Sequence, residues 1–377
     1  DPEVNAAVTR SLERGESLFG AGTTPWEGRL AELICRCVPS ADQAQITNTG
    51  SEASYHAMRL ARAATGRQDI LVMQGGYNGW HDEVACNVMT PLSAIGERVS
   101  PGEYPYVPMS AGVSSATAGS VHVINFNDLE SAERVLEQRT VACVITEPVL
   151  QNIGIVKPLP GYLAGLRSLC ARYGTVFVLD EVKTGFRHAL GGYQSLAGIE
   201  PDLSLFGKAI ANGFAIGAIA GKREIMQQFS HPNPARRVLI AGTYNAHPVP
   251  VAAAIATLEK LIREGDKIYA HLETLGSRLE LGLHSLLLHA GVQAVVARQG
   301  SAFCAYFMDH APVDWHDIAA HHNMEYDIAY RRALIEEGIY HFPIAAKQGS
   351  ISAAHSDADI DQTLEATERV LRKSLAM

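Results

Sequence analysis

Thr175-Val-Phe-Val-Leu-Asp-Glu-Val-Lys-Thr-Gly-Phe-Arg187 and, downstream, Pro201-Asp-Leu-Ser-Leu-Phe-Gly-Lys-Ala-Ile-Ala-Asn-Gly213 decide how this chain is read. Val176 to Leu179 is a short, wholly apolar run, the pattern of a strand buried on both faces. It ends on Asp180 and Glu181. Leu203 to Phe206 is a second such run, and it ends on Gly207 and Lys208. In an open parallel sheet, functional groups collect at the carboxyl ends of the strands. One strand therefore delivers a carboxylate to that edge and another delivers an amine. Each residue alone has an ordinary reading: an acid after a strand is a loop residue or a helix cap, and a lone lysine is a solvated charge.

The pair has a more specific use. Pyridoxal phosphate takes a lysine amine for its Schiff base and an acid to hold a proton on the pyridine nitrogen. Asp180-Glu-Val-Lys-Thr-Gly-Phe-Arg and Gly207-Lys-Ala-Ile-Ala-Asn-Gly resemble the cofactor motifs of class III pyridoxal-phosphate aminotransferases. Ala189-Leu-Gly-Gly-Tyr-Gln is most similar to the glutamate-1-semialdehyde 2,1-aminomutase branch. The resemblance implies an α/β protein of pyridoxal-phosphate fold type I, like aspartate aminotransferase. Such a chain has a large domain with a mostly parallel seven-stranded sheet and a smaller α+β C-terminal domain. By the same resemblance Asp180 is the pyridinium partner, Lys208 the Schiff-base lysine, and Val182 a residue packed on one face of the ring.

With 377 residues, 47% hydrophobic and 19% charged, the chain can build a large core and two domains. Its net charge of -9 gives no basic surface for nucleic acid or an anionic membrane. Cys35, Cys37, Cys86, Cys143, Cys170 and Cys304 follow no disulfide framework, and several sit in apolar runs. Free thiols in a reducing, cytoplasmic setting are the simplest reading. No apolar stretch is long enough to span a bilayer, and no signal-peptide pattern opens the chain. The first residue is Asp1, and helical patterning starts at Val4, Val8 and Leu12. A natural start lost or left out is expected, and the family resemblance implies an extra N-terminal segment lining the substrate pocket.

Residues 1–28 are read as an N-terminal segment, 29–264 as the cofactor-binding domain and 265–377 as the small domain. Helices are expected over Val4–Arg14, Glu27–Val38 and Ser51–Ala64. The loop Phe19 to Trp26 resembles a family segment that approaches the partner subunit's active site; an ordinary connection is the alternative. Strands and helices then alternate, as in a parallel sheet covered on both faces. Pro91 to Gly119 is a long Gly/Pro/Ser/Ala-rich connection, expected to be a mobile loop near the active site. A helical region over Val251–His289 is expected to break at Gly265-Asp266. Strands at Val292–Ala297 and Ala302–Phe307, a helix at Ile318–Glu337, a further segment at Ile339–Phe342 and a helix at Asp357–Leu375 complete the chain.

The start of the Ser51 helix suits a phosphate, because backbone N–H groups and the positive dipole end point outward. Gly50 permits close approach and Ser51 adds a hydroxyl. An ordinary cap by Ser51 or Thr49 is the competing reading. The stretch is similar to the family's Asn-Ser-Gly-Thr-Glu-Ala phosphate motif. By resemblance Tyr77 stacks on the ring, Glu147 belongs to a Glu-Pro motif, and Asn152 lies near the ring hydroxyl. Thr243 would reach the cofactor phosphate of the other subunit, making a homodimer with shared sites; it could equally cap the helix near Val249. Asn78, Trp80 and His247 depart from the aminomutase pattern. His316, His321 and His322 lack metal-site spacing, so no metal is expected. Walker A, GxSxG and GxGxxG motifs are absent.

The expected activity is transfer of an amino group from a small-molecule donor to a carbonyl acceptor. A 2,1-aminomutase and a catalytically silent binding module are the alternatives.

Overall fold

A computed structural model describes residues 1–15 and 24–374. Seven strands form the main sheet: β1 (Gln43–Thr47), β2 (Asp69–Met73), β3 (Val121–Ile124), β4 (Val141–Thr146), β5 (Val176–Asp180), β6 (Leu203–Gly207) and β7 (Gly217–Gly221). Their order is β1-β7-β6-β5-β4-β2-β3. Strands β2 to β6 pair in parallel, whereas β7 runs antiparallel to both β6 and β1. The short 208–216 connection explains the exception, because a parallel crossover needs about a dozen residues or more. The fold is thus type I, with a mostly parallel seven-stranded sheet.

The helices associated with this sheet are α1 (Pro2–Glu13), α2 (Pro25–Cys37), α3 (Gly50–Thr65), α4 (Leu92–Ile95), α5 (Leu129–Leu136), α6 (Tyr162–Tyr173), α7 (Gly192–Ala197), α8 (Arg223–Met226) and α9 (Pro248–His289). One core joins α3, α5 and α6 to the central strands through residues such as Ala57, Leu60, Val135, Leu166 and Val144. A second core joins α1, α2 and the start of α9 to β6 and β7 through Val4, Leu33, Ile34, Val251, Leu258 and Phe206. The strand residues are buried from end to end in β4, β5 and β6. This is why their sequences show no polar alternation.

The C-terminal part contains β8 (Val295–Gln299), β9 (Ala302–Tyr306), α10 (Trp315–His321), α11 (Met324–Glu336), β10 (Gly349–Ser350) and α12 (Asp357–Ser374). The three strands form an antiparallel sheet in the order β10-β9-β8. Leu275, Leu279, Leu283 and Leu287 of α9 pack in the cores of this region.

Three local expectations are corrected. The helix does not break at Gly265-Asp266: α9 is one 42-residue helix. A single interior glycine costs only about 1 kcal/mol, and packing of both halves outweighs it. The expected Ile318–Glu337 helix is two helices, because Asn323 caps α11 by accepting from Tyr326 N at 3.0 Å. Residues 339–342, read only as a further segment, form neither helix nor strand. The 91–119 stretch is largely irregular apart from α4, and none of its residues lines the cavity described below. Tyr104 N donates to Val123 O at 2.8 Å, and Arg98 pairs with Asp314. The loop expected at Phe19 to Trp26 lies largely outside the described residues.

Candidate active site

Beyond the carboxyl ends of β5 and β6 lies a cavity of about 420 Å³. Gly50, Ser51, Tyr77, Glu147, Asn152, Asp180, Val182 and Lys208 all line it. Thr243 does not; it sits on an exposed segment before α9. Nor does Thr243 cap α9, whose first turn is capped by His247 Nδ1 accepting from Val249 N at 3.2 Å.

Asp180 is the last residue of β5 and is buried. Its Oδ2 accepts from Asn78 Nδ2 at 2.8 Å, and its Oδ1 accepts from Val182 N at 3.0 Å. Burial pushes its pKa up, opposed by Asn78, Val182 N–H and the charge of Lys208. A buried carboxylate with these partners gains from a further cation in the cavity. The neighbouring Glu181 is turned away. Its carboxylate accepts from Thr184 Oγ1, Tyr193 N, Gln194 N and Gln194 Nε2, which fixes the turn after β5.

Lys208 directly follows β6, and its backbone has φ +48°. This left-handed conformation costs an L-residue roughly 1–2 kcal/mol, so the fold holds the lysine there against local preference. Its side chain opens on the cavity, and the surrounding protein lowers its pKa by desolvation, with Asp180 and Glu147 opposing. Such a shift makes the neutral, nucleophilic amine more available.

The opposite end of the cavity is the start of α3. Thr49 is the cap: its Oγ1 accepts from Glu52 N at 3.2 Å, while Glu52 accepts from Asn48 N at 2.7 Å. The capping reading of this stretch therefore holds at Thr49, and it leaves Ser51 facing the cavity. Ser51 Oγ accepts from Trp80 N at 3.3 Å. A Cβ on Gly50 would lie 2.9 Å from both methyls of Val182. The glycine thus lets the helix start approach the Val182 wall.

Glu147 closes a third side. It is buried and accepts from Tyr77 N at 3.0 Å, Gln151 N at 3.1 Å and Asn152 Nδ2 at 3.3 Å. Burial and the nearby Asp180 push its pKa to about 7, while Lys183 pulls the other way. Lys183 also lines the cavity, donating from Nζ to Gln151 O at 2.8 Å. Its pKa falls to about 8 through desolvation, and Glu147 opposes the fall. Lys347 donates to Asn152 O at 2.8 Å, and burial lowers its pKa. Arg187 Nε donates to Lys183 O at 2.8 Å. Among the described residues, no carboxylate lies within ion-pair distance of Lys183, Arg187 or Lys347.

The Gln151–Gly154 loop is held from beneath. Tyr306 hydroxyl donates to Ile153 O at 2.7 Å and accepts from Ile155 N at 2.6 Å. A Cβ on Gly154, which has φ +98°, would lie 2.1 Å from that hydroxyl oxygen.

In the sequence Asn78 stands out only as a departure from a pattern, and Lys183, Lys347 and Tyr306 do not stand out. Lys183 lies in the turn after β5, two residues after the buried Glu181. Lys347 and Tyr306 come from the C-terminal region and had no local signal. His81 is a packed loop residue, bonded to Ser54 Oγ and Glu83. The three histidines considered for a metal do not converge. His316 faces Gly96 O, and the buried His322 pairs with Asp327, whereas His321 meets His310 and Asp317.

The donor set fits pyridoxal phosphate. A helix start with adjacent hydroxyl and glycine suits a phosphate, a buried carboxylate suits a protonated ring nitrogen, Val182 offers an apolar wall, and Lys208 offers the amine.

Comparison with known proteins agrees. The model of the family "Aminotransferase class-III" matches residues 1–371. Glutamate-1-semialdehyde 2,1-aminomutase of Pelotomaculum thermopropionicum is 37% identical over 376 residues, 99% of this chain and 83% of that protein. Among solved structures, an omega-transaminase from Sphaerobacter thermophilus superposes with a TM-score of 0.88 and 33% identity, covering 99% of this chain and 83% of the other. A transaminase solved with pyridoxal phosphate bound gives a TM-score of 0.85 and 28% identity, over 100% and 83%.

Proposed function

The chain belongs to the class-III aminotransferase family and is a pyridoxal-phosphate-dependent enzyme, and from that premise we propose that it transfers an amino group from a small-molecule donor to a separate carbonyl acceptor. The observation that carries this reading is the placement of Asp180 and Lys208. Asp180 ends β5, Lys208 directly follows the neighbouring parallel strand β6, and both open on one cavity.

Bound there, pyridoxal phosphate supplies an electron-withdrawing ring that stabilises negative charge on the amine-bearing carbon. Gly50 and Ser51 would hold its phosphate, and Val182 and Tyr77 would enclose its ring. Asp180 keeps the ring nitrogen protonated, and Asn78 keeps Asp180 aimed at it. Asn152, steadied by Glu147, would be the residue available to the ring hydroxyl. Lys208 Nζ removes the proton from the substrate carbon and later returns one, a task suited to an amine whose pKa burial has lowered.

The same reading extends to the substrate. Lys183, Arg187 and Lys347 share electrostatic reach of one another or of Glu147, and one glutamate does not balance them. The excess of positive charge favours a substrate with a carboxylate. Residues 29–264 carry the cofactor, 265–377 form the small domain, and a homodimer completes each site with Thr243. The exposed apolar side chains of Leu239 and Tyr244 beside Thr243 support that assembly.

A 2,1-aminomutase is the second reading, favoured by the name of the P. thermopropionicum relative. Asn78 and Trp80 weigh towards transfer: Asn78 is committed to Asp180, and Trp80 is largely exposed. A donor screen followed by the visible cofactor spectrum tests the proposal, with product analysis separating transfer from 1,2-migration. Spectral conversion by an amino donor and release of a keto product are expected, both lost in Lys208→Ala. A variant converting near the wild-type rate would refute the role of Lys208. A cofactor band inert to every donor would indicate a silent binding module.

A further inference from the structure

His310, Asp317 and His321 present three ligand atoms that all lie within 4.8 Å of one another, and none of them lines the cofactor cavity. His310 comes from the loop before α10, and Asp317 and His321 stand one turn apart on α10 itself. His310 Nε2 is 2.8 Å from Asp317 Oδ1, and His321 Nδ1 is 3.0 Å from the same oxygen. The two rings meet edge to face, with centroids 5.0 Å apart. Both histidines are solvent-accessible, whereas Asp317 is buried and its Oδ2 accepts from Val313 N at 3.1 Å. The carboxylate is thereby fixed, and the imidazoles converge on its free oxygen.

We propose that these three side chains form a binding site for a divalent transition-metal ion of the zinc class. Two imidazoles and one carboxylate match the borderline ligand preference of Zn²⁺ or Co²⁺, and they do not match the all-oxygen preference of Mg²⁺ or Ca²⁺. Metal–ligand bonds of about 2.0–2.1 Å in a tetrahedral site place ligand atoms about 3.3 Å apart. The two short contacts need to open by only a few tenths of an ångström. Solvent access leaves a fourth position for water.

A second feature matches the surroundings of a metal ligand. His310 Nδ1 lies 2.5 Å from Asp309 Oδ1, so both of its ring nitrogens face carboxylates. In metal sites a ligating histidine commonly donates its other N–H to a carboxylate, which orients the ring and strengthens the ligand. Asp309 occupies that position, and the metal takes the place of the proton between His310 and Asp317.

The site would clip the 309–314 loop to α10. Helix α10 also carries Trp315, whose indole Nε1 donates to Thr90 O at 2.7 Å. A Cβ on Gly75 would lie 2.8 Å from the Trp315 Cβ, and Gly75 begins the turn leading to Tyr77 and Asn78. Helix α10 thus backs the turn that leads to the cofactor loop, while none of its residues lines the cavity itself.

The test is titration of the holoenzyme with Co²⁺, followed by its visible d–d bands and by Zn²⁺ displacement. One equivalent per chain is expected. His310→Ala and His321→Ala should each weaken binding by at least about 100-fold and Asp309→Asn by about tenfold, with amino-transfer rates unchanged. Both histidines are exposed, so their variants should fold. Failure of the wild-type protein to bind Co²⁺, or undiminished binding by the His310→Ala/His321→Ala double variant, would overturn the assignment.

Discussion

Replacing Asn78 with leucine removes one hydrogen bond and nearly nothing else. The two side chains have similar volume, so packing cost is small. What is lost is the 2.8 Å donation from Asn78 Nδ2 to the buried Asp180 carboxylate. A hydrogen bond to a charged group contributes about 1.5–3 kcal/mol, and 1.36 kcal/mol corresponds to one pKa unit. Burial already raises the Asp180 pKa, and Asn78 is the largest influence holding it down. Asn78→Leu should therefore raise it further. Asp180 acts as an anion, so the acid limb of the pH–rate profile should move to higher pH. At neutral pH the amino-transfer half-reaction should slow by roughly 10- to 150-fold. Stopped-flow conversion of the cofactor spectrum by an amino donor, from pH 5 to 9, measures both quantities. Asn78→His, which restores a donor, should recover most of the loss. An unmoved acid limb and a rate within about twofold of wild type would show that Asn78 does not govern Asp180.

Other consequences are equally direct. Gly50→Ala places a methyl 2.9 Å from both Val182 methyls, an overpacking cost of about 1–3 kcal/mol; cofactor titration should show roughly 5- to 150-fold weaker retention. Lys183 has a folded-state pKa of about 8 against an ordinary 10.5, so the native state binds fewer protons than the unfolded chain between those values and wild-type stability should rise with pH there. Lys183→Met should flatten that rise in denaturant titrations at pH 8 to 10.5, and it should raise KM for a carboxylate-bearing donor more than it lowers kcat. Tyr306→Phe leaves Ile153 O and Ile155 N without their buried partner and should cost about 2–4 kcal/mol in equilibrium unfolding.

What the sequence discloses follows from where each interaction is made. The β5 and β6 runs are legible because strands buried on both faces must be continuously apolar, and their ends put Asp180 and Lys208 on one edge. The start of α3 is legible because its cap lies within four residues, from Asn48 to Glu52. Asn78 was visible as a departure, but its bond to Asp180 joins residues 102 positions apart. Lys347 and Tyr306 reach the Gln151–Gly154 loop across 195 and at least 151 positions. No local pattern encodes such partners. Gly265 misled for the opposite reason: its local preference was read correctly and then overruled by packing on both sides of it.

That uninterrupted α9 has a mechanical meaning. Its first half is embedded with Val251 and Leu258 beside the cofactor strands, and its second half with Leu279 and Leu287 under the C-terminal sheet. At 1.5 Å per residue the rod is about 63 Å long. A rotation of only ~5° at one end displaces the other by roughly 5 Å. The two regions are thus geared together by a stiff axle, and a change beside Lys208 reaches the strands behind Tyr306 as a tilt rather than as the flexing of a joint.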